Sequence, residues 1–297
     1  MILPKSILGP MRLPFIILTP ACVMLGLGTA IWTSGSVDIL YFILALIGAI
    51  SAHISVNAFN EYFDFKSGLD FKTERTPFSG GSGTLPENPG KAPNALITAV
   101  AAFTCTTLIG LFFLYVRGPA LLPIGLLGLT LVLAYTPLLA YNPYLCLIAP
   151  GLGFGPMMVM GTYFVLTGEY SWTALTASLI PFFLVSALLL LNQFPDVVAD
   201  KSIGRKHFPI VIGTRSSSIL FSLLLLCAYL SLSLGVLFHS LPKISLVGLL
   251  TIILAVPAGI GSFRHADNIK KLIPFMGMNV IINIATPVLV AIGLFIE

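Results

Sequence analysis

Apolar residues run through this chain in long blocks separated by short polar interruptions, and the length of the blocks sets the first expectation. The hydrocarbon core of a bilayer takes about twenty predominantly apolar residues in a helix. Blocks of that length lie near 12–33, 38–60, 94–116, 119–138, 144–167, 172–194, 216–238, 243–262 and 273–295. They are continuously apolar and lack the ten-residue alternation of a transmembrane barrel, so the pattern predicts helices. The expected fold is an all-α integral membrane bundle of nine transmembrane helices, built as one domain over 1–297. Pro20, Pro123, Pro156, Pro181, Pro257, Pro274 and Pro287 fall within or at the ends of these blocks. They read as kinks, which membrane helices tolerate when neighbours satisfy the freed carbonyls. The opening stretch, MILPKSILGPMRLPFIILTPACVMLGLGTAIW, begins like a signal peptide but has no small-residue cleavage site, and is expected to remain as the first helix.

Composition supports the same picture. Hydrophobic residues make up 57% of the chain and charged residues 9%, against roughly 25% charged in a soluble domain. Fifteen basic and eleven acidic side chains are too few to solvate the surface of 297 residues, so most of that surface faces lipid. Disorder is excluded by 21 Phe and the same shortage of charge. No Lys/Arg-dense face exists outside short loops, which excludes a nucleic-acid partner. Cys22, Cys105, Cys146 and Cys227 stand alone in apolar stretches, with neither disulfide nor zinc spacing, and read as packing residues.

The few charges are placed unevenly. With the N-terminus in the cytoplasm, thirteen of the fifteen basic residues fall on the cytoplasmic side: Lys5, Arg12, Lys66, Lys72, Arg75, Lys91, Lys201, Arg205, Lys206, Arg215, Arg264, Lys270 and Lys271. Only Arg117 and Lys243 fall opposite, which predicts a cytoplasmic N-terminus and a C-terminus across the membrane. Of the eleven acids, Glu61, Asp64, Asp70, Glu74, Glu87, Asp196 and Asp200 gather in two stretches at cytoplasmic helix ends.

Each stretch contains N-x-x-x-D, as Asn60 and Asp64 and again as Asn192 and Asp196, a displacement of 132 positions that suggests two related halves. Residues four apart share a helix face, so each Asn is expected to project with its Asp, with Asn57 one turn earlier and Asp200 one turn later. Asp70 lies off that face, but Gly68 is placed to end the helix and turn Asp70 back toward Asp64. Carboxylate and amide oxygens suit Mg²⁺, which takes one or two carboxylates, keeps waters and completes its shell with substrate phosphates. The expected ligands are therefore Asn60, Asp64, Asp70, Asn192, Asp196 and Asp200, holding two ions on one diphosphate. Lys72, Arg75, Lys201, Arg205 and Lys206 are expected to meet the remaining phosphate charge. An isolated D-x-x-x-D more often marks a solvated loop; two copies in a nearly charge-free membrane protein favour a site. The Gly80–Gly83 run, GGSG, is either a phosphate-contacting lid or a flexible turn, and it is not a P-loop. His53, four residues before Asn57, either extends the polar stripe or packs within the helix. His207, His239 and His265 are scattered.

N-E-Y-F-D-x-x-x-G-x-D from Asn60 to Asp70, and N-x-x-x-D-x-x-x-D-x-x-x-G-R-K from Asn192 to Lys206, resemble the paired aspartate-rich motifs of the UbiA superfamily of intramembrane prenyltransferases. The Asp64–Asp70 spacing with Gly68, Tyr135-Thr136-Pro137, and F-G-P-M-M-V-M-G-T-Y-F from Phe154 are similar to the MenA-like branch, which prenylates 1,4-dihydroxy-2-naphthoate. Two positions depart from the pattern: Glu61 stands where relatives often have Asp, and no acid follows Tyr141 where many carry L-G-E or L-G-N. The resemblance implies nine helices with the motif loops in the cytoplasm and a site opening laterally to lipid. It also implies Mg²⁺-dependent transfer of a polyprenyl group from its diphosphate to an aromatic quinone precursor at the plasma membrane. Asp64, Asp70, Asp196 and Asp200 would carry catalysis, and the prenyl and acceptor pocket would include Asn57, Tyr62, Tyr135, Phe154 and Phe194. Aromatic faces of this kind, Phe63 among them, are worth about 0.5–2 kcal/mol each to a carbocation. Within the same fold the acceptor alternatives are 4-hydroxybenzoate, a glycerophosphate lipid or a porphyrin-derived ring. Outside it stands an ion-coupled transporter, whose acids belong nearer the bilayer midplane.

Overall fold

A computed structural model describes residues 5–297, with side chains from Ile7 onward; the side chain of Lys5 lies outside the described residues. Every element there is helical. The long helices are α1 (Leu18–Ser34), α2 (Ile39–Lys66), α3 (Ala92–Arg117), α4 (Leu122–Ala134), α5 (Pro143–Thr167), α6 (Trp172–Asn192), α7 (Thr214–Leu237), α8 (Lys243–Arg264) and α9 (Ile269–Ile296). Seven of these, α2, α3 and α5 to α9, are long and apolar enough to cross a membrane. An eighth span forms if 7–16 and α1, which meet at a 47° bend, are counted together. The expected count of nine is not reached on length, because the apolar helix Pro119–Ala134 is shorter than about twenty residues.

Local chemistry sets the helix ends. Asp38 caps α2 by accepting from Leu40 N–H (2.7 Å) and Tyr41 N–H (3.3 Å), and Asn142 caps α5 through Tyr144 N–H (3.0 Å) and Leu145 N–H (3.1 Å). The helices run through Pro181, Pro257, Pro274 and Pro287 without interruption. At Pro156, which lacks an N–H, α5 instead widens into a π-helix over Gly153–Met160. All four cysteines are free.

In lipid, helices associate through close packing rather than water exclusion, so small residues matter at the contacts. Gly151 and Gly155, one turn apart on α5, face α6 so closely that a Cβ at Gly155 would stand 2.5 Å from Ser178 O and one at Gly151 would strike Ser186 Oγ. Gly26 brings α1 against α5 at Val159 and Thr162 in the same way. α6 is the central helix, with 61% of its apolar window buried against 17% for α3. α7 and α9 close the core around it through Phe221, Leu225, Met276 and Ile282, and α8 joins the same core through Ala255 and Ala258. α1 to α6 do not close completely, and the gap between them is the cavity.

Candidate active site

A cavity of about 470 Å³ runs between α1 and α6, and its wall includes no residue beyond His207 among those described. Most of the wall is apolar, from Ala45, Ile109, Leu129 and Met157 among others, and the acids collect at the ends of α2 and α6.

The first acidic stretch follows from helix periodicity. His53, Asn57, Asn60 and Asp64, spaced by four, three and four, share one face of α2 and all line the cavity. Asn60 donates to Asp64 Oδ2 (3.0 Å) and Thr136 Oγ1 (3.2 Å), and its Oδ1 accepts from Arg12 Nη2 (3.0 Å). Gly68, at φ 77, ends α2 in the left-handed region that glycine adopts freely. The turn Leu69–Phe71 then carries Asp70 onto the same wall, 8% exposed.

The second stretch departs from the expected single helix face. Pro195 cannot continue the hydrogen-bond ladder, so α6 ends at Asn192, the chain turns over 193–196, and a short helix, Val197–Ser202, carries Asp200. Asn192, Asp196 and Asp200 still line the cavity. Gly204, at φ 83, folds the chain back so that Arg205 Nη1 donates to Asp200 Oδ1 (2.9 Å) while Nη2 bonds Asp64 Oδ1. Arg205 therefore ties the two stretches together. Burial alone would lower its proton affinity, but the Asp64 and Asp200 carboxylates hold it above its usual range. His207 Nε2 sits 2.9 Å from Asp200 Oδ2.

Two carboxyls stand apart from these pairings. Burial, then the neighbouring Glu61 and Asp64 charges, pushes Asp70 up to about 7. Burial and Asp200 push Asp196 up to about 7 as well. Asp70 Oδ2, Asn192 Oδ1 and Asp196 Oδ1 are buried without a partner among the described residues. Orphaned hard oxygens, two on carboxyls that resist ionisation and one on an amide, are what a divalent cation satisfies. Among the described residues no three His, Cys, Asp or Glu groups converge into an all-protein cage. The donor set fits Mg²⁺, which needs only one or two carboxylates beside water and phosphate.

The other residues singled out in the sequence divide. Tyr135 and Phe154 line the cavity. Tyr62 lies off the wall, under the Lys66 ammonium (5.7 Å) and against Phe63, and Phe194 is buried in the main core. Lys72 reaches Ser202 Oγ (3.3 Å), Arg75 pairs with Glu87 (3.3 Å), and Lys201 and Lys206 are exposed; none of the four lines the cavity. The cation that joins Arg205 on the wall is Arg12, to which the sequence reading gave no role at the site. Its Nε bonds Glu61 (2.8 Å), a fully buried acid that also accepts from Ser82 N–H (2.6 Å) and Ser82 Oγ (2.9 Å). Glu61 thus fastens the GGSG loop and the N-terminal segment to α2, and Gly80 and Gly81 reach the cavity wall. Arg12 is 48 positions from Asn60, and nothing local in the sequence points to it.

Solved structures share this architecture. An apo UbiA homolog from Aeropyrum pernix K1 superposes with a TM-score of 0.71 at 15% identity, covering 95% of this chain and 97% of that one. A UbiA homolog from Archaeoglobus fulgidus bound to DMAPP and Mg²⁺ gives 0.67 at 14% identity, covering 97% and 99%. At such identities the likeness speaks for the fold. In sequence, a 1,4-dihydroxy-2-naphthoate octaprenyltransferase of Bacillus subtilis (strain 168) is 31% identical over 198 residues, 65% of this chain and 62% of that relative, so the matched stretch spans under two thirds of the relative's length. Residues 19–281 match the UbiA prenyltransferase family, a span that takes in both acidic stretches and the helices that carry them. This integral membrane protein belongs to the UbiA prenyltransferase family.

Proposed function

We propose that the protein transfers a polyprenyl group from an allylic polyprenyl diphosphate to an aromatic quinone precursor of the 1,4-dihydroxy-2-naphthoate type, in a Mg²⁺-dependent step of menaquinone-type biosynthesis. The observation that carries the reading is the meeting of two acidic stretches, with three orphaned oxygens, at one end of an apolar cavity. The Bacillus relative's activity and the Archaeoglobus homolog's bound DMAPP and Mg²⁺ support it.

Asp70, Asn192 and Asp196 would hold the metal, flanked by Asn60, Asp64 and Asp200. When bound, Mg²⁺ neutralises the diphosphate as a leaving group. Arg205 and Arg12, the cations on the wall, bind phosphate oxygens, a task suited to the forked guanidinium. The apolar walls keep water from the allylic cation left when the diphosphate departs. Tyr135 and Phe154, on the cavity wall, would face that cation while the electron-rich acceptor ring attacks it; the ring carbon that forms the new C–C bond gives up its proton, or its carboxyl group as CO₂, to restore aromaticity.

In the membrane, we read α4 as a ninth, short span accommodated by local thinning, and 1–297 as one domain. On that reading the N-terminus and the site lie on the cytoplasmic side of the plasma membrane, the C-terminus opposite, with the prenyl tail entering from lipid; the bias of basic residues supports the orientation. The test is to incubate membranes containing the protein with radiolabelled polyprenyl diphosphate and separate acceptors: 1,4-dihydroxy-2-naphthoate, 4-hydroxybenzoate, a glycerophosphate lipid and a porphyrin-derived ring. Labelled naphthoate product that requires Mg²⁺ is expected. Product with another acceptor alone overturns the acceptor class, and uptake into proteoliposomes without product overturns the enzyme reading.

A further inference from the structure

His53 lies on the cavity wall with no part in the chemistry above. It shares the α2 face with Asn57, Asn60 and Asp64 and is 6% exposed. Its Nδ1 sits 2.8 Å from Thr19 Oγ1 of α1, which fixes the ring, and Phe154 meets that ring edge-on at 4.8 Å and 86°. Nε2 has no partner among the described residues. That nitrogen is not sealed in the protein, and on a mostly apolar wall it is open to a polar group of whatever occupies the cavity. The prenyl tail is hydrocarbon and carries no hydrogen-bonding group. The diphosphate belongs at the other end: seven residues from His53 to Asn60 are about 10 Å of helix. That is roughly the reach from a held diphosphate, past the first prenyl carbon, to the far hydroxyl of a bicyclic ring.

We infer that His53 Nε2, oriented by Thr19 and flanked by Phe154, binds a ring hydroxyl of the acceptor and so sets how the acceptor lies against the prenyl carbon. A phenolic hydroxyl both donates and accepts, so either tautomer of His53 serves. This rests on the prenyltransferase reading with a hydroxylated aromatic acceptor.

The test is steady-state kinetics of the full chain in liposomes, varying each substrate at saturation of the other. His53→Leu is expected to raise KM for 1,4-dihydroxy-2-naphthoate about three- to tenfold, the usual worth of one neutral hydrogen bond. KM for the polyprenyl diphosphate should stay within twofold, and His53→Gln should recover part of the loss. Thr19→Val, which frees the ring, should raise only the acceptor KM, by a smaller factor; it and His53→Gln carry the test if His53→Leu fails to fold. An unchanged acceptor KM in an active protein, or equal rises in both KM values, overturns the inference alone. A wild-type protein that prenylates no hydroxylated aromatic overturns the function and the inference together.

Discussion

Replacing Arg205 by leucine removes the guanidinium that bonds carboxylates of both acidic stretches. The side chains of Arg205, Asp64 and Asp200 are 11%, 8% and 5% exposed, so the substitution leaves two buried like charges facing each other, with His207 as the remaining contact of Asp200. Breaking a buried pair from one side costs about 3–5 kcal/mol, much of it the penalty for the charge left behind. At roughly 2–4 °C per kcal/mol for a chain of this order of size, the apparent Tm should fall by about 6–20 °C. The origin of the loss is separable. Arg205→Leu combined with Asp64→Asn removes one stranded charge and should recover a large part of the stability but not the prenyl transfer, because one of the two cations for the diphosphate and a carboxylate beside the metal are both missing. Arg205→Lys keeps a point charge and should retain more stability than activity, since a single ammonium cannot reproduce the fork. Thermal unfolding in detergent, followed alongside transfer from labelled polyprenyl diphosphate, reads both quantities. Arg205→Leu with wild-type Tm and turnover would refute the reasoning, and a double variant no more stable than the single one would refute its electrostatic part.

Three further outcomes are expected. Glu61→Gln weakens the charge-assisted bonds to Arg12 and Ser82, at about 1.5–3 kcal/mol each for bonds to a charged group. It should speed amide exchange over 79–83, read by hydrogen–deuterium exchange. Gly151→Val forces α5 off α6 at Ser186 and Phe182 and should cost at least about 1–3 kcal/mol in melting experiments. Gly153→Ala, whose Cβ meets nothing within 4 Å, should leave Tm within about 1 °C.

Periodicity and composition made much of this molecule legible. The long apolar helices fall where the blocks predict them, and Asn57, Asn60 and Asp64 share a face because the α-helix repeat requires it. Gly68 could be read as the stop that turns Asp70 inward. The same periodicity argues against Tyr62, since two residues past Asn60 is about 200° around the helix. Pro195 carried the signal that α6 breaks within the second stretch, which the repeated spacing concealed. The cations were least legible, because a basic residue near a motif in sequence is usually a solvated neighbour. Lys72, Lys201 and Lys206 point away, whereas Gly204 turns Arg205 inward and Arg12 arrives from another segment. Such long-range placement depends on packing, to which a linear pattern is blind. The length of α4 likewise falls short of its apolar block because the chain turns at Tyr135 to build the wall.

The central claim is that two acidic stretches grip one diphosphate, and binding stoichiometry tests it most directly. Titrating the protein in Mg²⁺ with a non-reactive thio-analogue of a polyprenyl diphosphate, by calorimetry, should give one site per chain. Asp70→Asn and Asp196→Asn should each weaken that site at least tenfold, although they lie on different stretches. Two sites per chain, or a loss confined to one stretch, would contradict the account.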